Sequence, residues 1–134
     1  MTQYLVDTSA WQRIGQVVDR WSELVEAKEM ALCTPVALEL LYSARGRDDY
    51  VSLTEDLAWF PHLAIDARVE LAALRNQRSL AAQSQHRGPT PTDHLIAALA
   101  EVHGVTLLHY DRHFDLIASA TGQKTEWLAR RGTI

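Results

Sequence analysis

Four short β-prone runs alternate with helix-patterned segments along this chain, and the alternation limits the folds open to it. The runs cover residues 4–6, 30–33, 105–108 and 124–127. Strands that alternate with helices form parallel sheets, because each connection between parallel strands crosses over through a helix. We therefore expect an α/β fold with three layers, in which a short, mainly parallel central sheet is covered by helices on both faces.

Apolar residues at helical spacing predict the remaining elements. The predicted helices cover residues 10–14, 17–27, 35–44, 49–57, 65–84, 93–103 and 112–119. Thr34 and Thr92 are the expected N-caps of the third and sixth helices, and residues 60–63 are expected to break the chain between two helices. The buried side of the helix over 65–84 is expected to carry Val69, Leu71, Ala72 and Leu74.

Size and composition are those of one folded domain covering residues 1–134, with 47% hydrophobic residues and no linker-like segment. Cys33 is the only cysteine, so no disulfide can form within the chain, and we expect it to be a buried thiol. No run is long enough to cross a membrane, and no signal peptide is recognised, which favours a cytoplasmic protein. The net charge of −4 argues weakly against a general polyanion binder.

Four acidic residues lie in or beside strongly apolar segments: Asp7, Glu39, Asp93 and Asp111. A buried lone carboxylate is costly unless a cation neutralises it, so four of them suggest one shared cation. Three of the four have an ordinary alternative role as helix caps or first-turn acids. Glu39 is harder to explain in this way, because its helix carries no other charged residue before Arg45.

The expected positions of these acids converge on one site. Asp7 and Asp111 follow predicted strands, and sites in parallel sheets gather at the carboxyl ends of strands. Glu39 and Asp93 are expected on buried helix faces. A carboxylate-only site suits hard cations such as Mg²⁺ or Mn²⁺. Asp115, four residues after Asp111, is a candidate auxiliary ligand, although a surface role is as good an interpretation.

Four segments, LVDTSAW, TPVALELLYSAR, PTDHLIAALA and LLHYDRHFDLIA, together resemble PIN-domain ribonucleases, specifically the VapC-type toxins of bacterial toxin–antitoxin pairs. The resemblance covers essentially the whole chain. It implies a PIN-like fold and identifies Asp7, Glu39, Asp93 and Asp111 as the catalytic acids, with Asp7, Asp93 and Asp111 as metal ligands. Thr8 or Ser9 would then orient the first acid or bind water.

The resemblance also implies an activity and partners: Mg²⁺- or Mn²⁺-dependent hydrolysis of an RNA phosphodiester, with transfer or ribosomal RNA as the substrate class. It implies a cognate VapB-like antitoxin and a toxin homodimer. The chain departs from the pattern at His113, where many relatives carry another Asp. Arg45, Arg47 and Arg112 flank the site segments and are candidate RNA phosphate contacts.

The two tryptophans of the early helices, Trp11 and Trp21, either line a groove for the antitoxin or pack in the core. Two other functions remain open. A non-catalytic PIN-like module would bind RNA or protein without cleaving it. A phosphoryl-transfer domain of receiver type also gathers acids around Mg²⁺, but it needs a lysine after a late strand. The chain has only Lys28 and Lys124, and neither follows a suitable strand.

Overall fold

The structure is a computed structural model that describes residues 2–27 and 29–134. In these residues five strands form one parallel sheet in the order β3-β2-β1-β4-β5. The strands are β1 (Tyr4–Val6), β2 (Met30–Cys33), β3 (His62–Leu63), β4 (Thr106–His109) and β5 (Thr125–Trp127). Helices cover both faces of the sheet, so the predicted three-layer α/β/α class is confirmed.

Seven α-helices connect these strands within the described part of the chain. They are α1 (Thr8–Trp11), α2 (Val18–Glu26), α3 (Thr34–Tyr42), α4 (Arg47–Leu57), α5 (Ala67–Ala81), α6 (Pro91–His103) and α7 (His113–Thr121). The first helix, predicted over 10–14, spans Thr8–Trp11 instead, because Asp7 caps it, and a 3-10 turn takes Ile14–Gln16. The two-residue strand β3, which pairs with the end of β2, was predicted only as a break.

Both predicted threonine caps are wrong. Thr34 lies inside α3, where Cys33 takes the N-cap position without a side-chain hydrogen bond. At α6 the cap is Thr90 instead of Thr92, because Pro91 occupies the first turn. The Thr90 hydroxyl accepts a hydrogen bond from the Asp93 amide (3.1 Å), and the Asp93 carboxylate accepts one from the Thr90 amide (2.9 Å). This capping box fixes the start of α6 and the carboxylate of Asp93 together.

The buried side of α5 is also partly wrong in the prediction. Leu71 and Leu74 are 69% and 61% exposed. The buried stripe instead repeats every three to four residues through Val69, Ala72, Ala73, Asn76 and Leu80. That stripe leaves Leu71 and Leu74 on the outer side of the helix.

The strand order places a crevice beside the central strand. From β1 the chain moves outward through β2 to β3, and then returns to β4 on the other side of β1. The carboxyl ends of β1 and β4 therefore form a topological switch point, where ligands bind in such sheets. Leu5 and Leu107, which pair where β1 meets β4, are both fully buried. Cys33 is also fully buried, as predicted. Asp7 directly follows β1, and Asp111 lies two residues beyond β4.

No helix in residues 2–27 and 29–134 is long and apolar enough to cross a membrane. Of the two lysines that bear on a receiver-type site, Lys28 lies outside the described residues. Lys124 immediately precedes β5 instead of following a strand.

Candidate metal centre

Asp7 is the buried member of the acidic cluster. Its side chain is held at the N-terminus of α1, where Oδ2 accepts hydrogen bonds from the Ser9 amide (2.9 Å) and the Ser9 hydroxyl (2.6 Å). The residue is only 4% exposed. Asp7 thus caps the helix and also faces the switch point, so its two predicted roles are compatible. Its other oxygen, Oδ1, has no hydrogen-bond donor among the described residues.

Burial raises the pKa of Asp7 from 3.8 to about 6, against the two hydrogen bonds from Ser9, which favour the ionised form. The negative charges of Asp93 and Glu39 raise this pKa further. Charges from α3 and α6 therefore act on the buried Asp7 carboxyl, which directly follows β1. A cation at this position would remove the penalty, since an opposite charge favours ionised carboxylates.

Glu39 does not lie on a buried helix face, contrary to the prediction. It is exposed, and its Oε1 accepts a hydrogen bond from the Thr8 hydroxyl at 3.1 Å. The buried residues of α3 are Pro35, Val36 and Leu40, so the apolar composition of this helix does not mean burial on every side. Glu39 nevertheless lies near enough to Asp7 for its charge to raise the pKa of Asp7.

Asp93, Asp111 and His113 form the most compact group. One carboxylate oxygen of each aspartate and one ring nitrogen of the histidine all lie within 4.8 Å of one another. His113 Nδ1 is 3.4 Å from Asp111 Oδ1 and 3.9 Å from Asp93 Oδ2. All three side chains are partly buried, with exposures of 15% for Asp93, 35% for Asp111 and 33% for His113. Two carboxylates and an imidazole at this spacing fit a divalent metal ion.

The backbone around Asp111 is held by hydrogen bonds that lead back to the Asp7 side of the site. The Ser9 hydroxyl, which donates to Asp7, accepts a hydrogen bond from the Tyr110 amide at 2.8 Å. The buried His109 accepts one from the Asp111 amide through Nδ1 at 3.1 Å. The ends of β1 and β4 are therefore connected through Ser9, and the two acids are held in a fixed relation.

The remaining predicted site residues lie outside this group. Asp115 is exposed, and both of its carboxylate oxygens accept from Trp127 Nε1, at 3.2 and 3.3 Å. Arg45 lies between α3 and α4, Arg47 begins α4, and both are exposed. Arg112 lines a cavity next to Asp111.

His113 is the member of this group to which the sequence assigned no role. Its only signal is its position two residues after Asp111, where an acid is frequent in the similar family. An imidazole at that position can still bind a metal ion.

Comparison with known proteins decides the family. The model of the PIN domain family matches residues 4–120 of this chain. The chain belongs to the PIN-domain family. Ribonuclease VapC51 of Mycobacterium tuberculosis is 42% identical, with 98% of this chain and 97% of that protein covered. Ribonuclease VapC18 of the same species is 38% identical, with 98% of each covered. The resemblance to VapC-type PIN domains is confirmed.

A solved structure supports the same fold. The PIN domain described above superimposes with a TM-score of 0.79 on a chain of the DNA-bound VapBC complex from Salmonella typhimurium. The match covers 96% of this chain and 100% of that one, at 19% sequence identity. At this identity the likeness concerns the fold alone.

Proposed function

We propose that this chain is the toxin of a toxin–antitoxin pair and hydrolyses RNA phosphodiester bonds with Mg²⁺ or Mn²⁺. One observation carries the proposal: Asp93, Asp111 and His113 bring ligand atoms within 4.8 Å of one another, and the charge of Asp93 also acts on the buried carboxyl of Asp7. The VapC ribonucleases that this chain resembles over nearly its full length supply the reaction class. We assign Asp7, Asp93 and Asp111 as metal ligands.

The other residues of the site act on these ligands or on the substrate. Ser9 fixes the Asp7 carboxylate, and Thr8 fixes that of Glu39. Glu39 is exposed at the edge of the site, where its carboxylate is available to accept a proton from the attacking water. We assign His113 as a further ligand in place of the acid of other relatives. When bound, the metal would neutralise the scissile phosphate and lower the pKa of a water molecule.

We propose transfer or ribosomal RNA as the substrate, cut in an unpaired segment, because unpaired bases are accessible to a protein surface. Arg45, Arg47 and Arg112 remain candidate phosphate contacts. All three side chains are exposed, which such contacts require. The cytoplasmic location and the extent of the domain over residues 1–134 stay predictions.

We propose a VapB-like antitoxin as the partner, because the structural neighbours are VapBC complexes. A groove of about 360 Å³, lined by the early helices and the end of α4, is the candidate binding surface for the antitoxin. Trp11 and Trp21 pack against each other with ring centroids 5.5 Å apart and also line this groove. Packing and groove lining, the two roles considered for them, therefore both apply. The neighbouring Trp59 is 86% exposed. Leu71 and Leu74 are exposed on the outer side of α5 and offer an apolar surface for the predicted homodimer.

The test is to sequence RNA 5′ ends after brief induction of the wild-type chain, and of Asp7→Asn or Asp93→Asn, in a host without the antitoxin. We expect discrete new ends with the wild type only. Asp19→Asn is the matched control, since Asp19 is exposed in α2 and lies outside the ligand group, so its replacement should leave cleavage unchanged. Undiminished cleavage by Asp93→Asn would refute the assignment. No new 5′ ends after induction of the wild type would favour the non-catalytic PIN-like module.

A further inference from the structure

A second cavity, of about 460 Å³, adjoins the acidic site and shares Ser9 and Asp111 with it. Apart from Gly132, its other lining residues are basic or aromatic: Arg13, Tyr110, Arg112, Trp127 and Arg131. We call this cavity the basic pocket. None of its three arginines forms a salt bridge within residues 2–27 and 29–134. In a chain of net charge −4, three unneutralised guanidinium groups beside a nuclease site favour an anionic ligand.

The C-terminal residues form one wall of the basic pocket because Tyr110 holds them there. The Tyr110 phenol oxygen accepts hydrogen bonds from the amides of Gly132 (2.8 Å), Thr133 (3.0 Å) and Ile134 (3.2 Å). These amides lower the pKa of Tyr110. The tail is thereby folded back against the residue that precedes Asp111, and Arg131 is brought to the pocket.

Two guanidinium groups of the pocket rest on aromatic rings. The Arg13 guanidinium lies 4.8 Å from the centroid of the Tyr110 ring and donates to the Ser9 carbonyl at 3.0 Å. The Arg131 guanidinium lies 5.7 Å from the centroid of the Trp127 ring. Arginine held on an aromatic face is preorganised, and its plane offers both hydrogen-bond donors for a phosphate and a surface on which a base can stack.

We propose that the basic pocket binds the nucleotide adjoining the scissile phosphate of a single-stranded RNA. Arg112 and Arg131, both exposed, contact its phosphate, and its base stacks against the Arg131–Trp127 pair. Arg13 is half-buried and already bonded to the Ser9 carbonyl, so its role is to hold the wall between the pocket and the acidic site. This inference rests on the proposed RNA hydrolysis and adds a subsite to it.

The experiment measures binding apart from cleavage. A short fluorescein-labelled single-stranded RNA of mixed sequence is titrated by anisotropy with the full chain carrying Asp93→Asn, over a range of salt concentrations in EDTA. Arg112→Ala or Arg131→Ala on this parent should each weaken binding roughly tenfold. Each should also reduce the slope of log affinity against log salt by about 0.7. Arg131→Lys should keep the salt slope but recover only part of the affinity, because lysine lacks the stacking plane.

Arg78→Ala is the matched control, since Arg78 is exposed near the end of α5 and does not line the basic pocket. It removes the same charge and should bind like the parent. Affinities of Arg112→Ala and Arg131→Ala equal to that of Arg78→Ala, or no binding of the RNA by the parent, would overturn the proposal. Thermal melting of each variant establishes that it is folded.

Parallel cleavage assays keep this proposal separate from the function itself. If the wild type cleaves RNA while the arginine variants bind RNA normally, the proposed subsite is refuted and the proposed function is not. If the wild type never cleaves RNA, the proposed function is refuted, even if the arginine variants show the predicted loss of binding.

Discussion

Replacing Asp7 by asparagine should stabilise the metal-free protein at neutral pH. The pKa of Asp7 is 3.8 as an ordinary side chain and about 6 in the fold, so the folded state holds this proton more tightly than the unfolded state. The free energy of unfolding of the wild type therefore falls as pH rises between these values. The full loss at neutral pH is roughly 3 kcal/mol, at 1.36 kcal/mol per pKa unit. Asparagine keeps an oxygen that can accept the Ser9 hydrogen bonds and carries no charge.

Urea denaturation in EDTA measures the effect. At about pH 7.5 we expect Asp7→Asn to raise the free energy of unfolding by about 1 to 3 kcal/mol, and the gain should vanish near about pH 3, below the unfolded-state pKa, where the carboxyl is protonated in both states. Saturating Mn²⁺ should reverse the order, because a bound ion stabilises only the form that binds it. Asp19→Asn, at an exposed position in α2, controls for loss of one negative charge. An Asp7→Asn protein no more stable than the wild type in EDTA at neutral pH would refute this reasoning.

Three further predictions concern the ligand group, its support and the antitoxin groove. His113→Ala should weaken Mn²⁺ binding by about tenfold in calorimetry, whereas His113→Asp should retain it; equal affinity in all three proteins would remove His113 from the site. Ser9→Ala should cost about 1 to 2 kcal/mol in urea denaturation, because it removes the 2.6 Å bond to Asp7 and the acceptor of the Tyr110 amide; an unchanged midpoint would contradict this role. Trp59→Ala should weaken antitoxin binding in calorimetric titration by at least about tenfold with little change in thermal stability, and unaltered affinity would move the antitoxin elsewhere.

The parts of the site that lie at strand ends could be predicted from the sequence. Asp7 and Asp111 follow short apolar runs, and parallel strands bring their carboxyl ends to one edge whatever the details of the connections. Asp93 heads the apolar face of α6, and it is partly buried as that position indicates. These three positions depend on the periodicity of the chain, which is a local property.

Features that depend on packing between distant segments could not be predicted. Glu39 is exposed although its helix is strongly apolar, because other elements cover only one side of α3. The predicted burial of Leu71 and Leu74 is wrong for a similar reason, since two alanines and Asn76 take the middle of the buried stripe of α5. The link between Tyr110 and the C-terminal tail runs between segments about twenty residues apart and carries no periodic signal.

The central claim is that four acids, two following β1 and β4 and two from α3 and α6, form one metal-dependent nuclease site. The most direct measurement is cleavage of purified total RNA by the wild type and by Asp93→Asn, in EDTA, Mg²⁺ and Mn²⁺. Asparagine at this position can still accept the Thr90 amide bond of the capping box, so the fold should be kept. We predict cleavage by the wild type only with a metal, and a loss of at least about a hundredfold in Asp93→Asn. Cleavage in EDTA, or equal cleavage by the two proteins, would contradict the account.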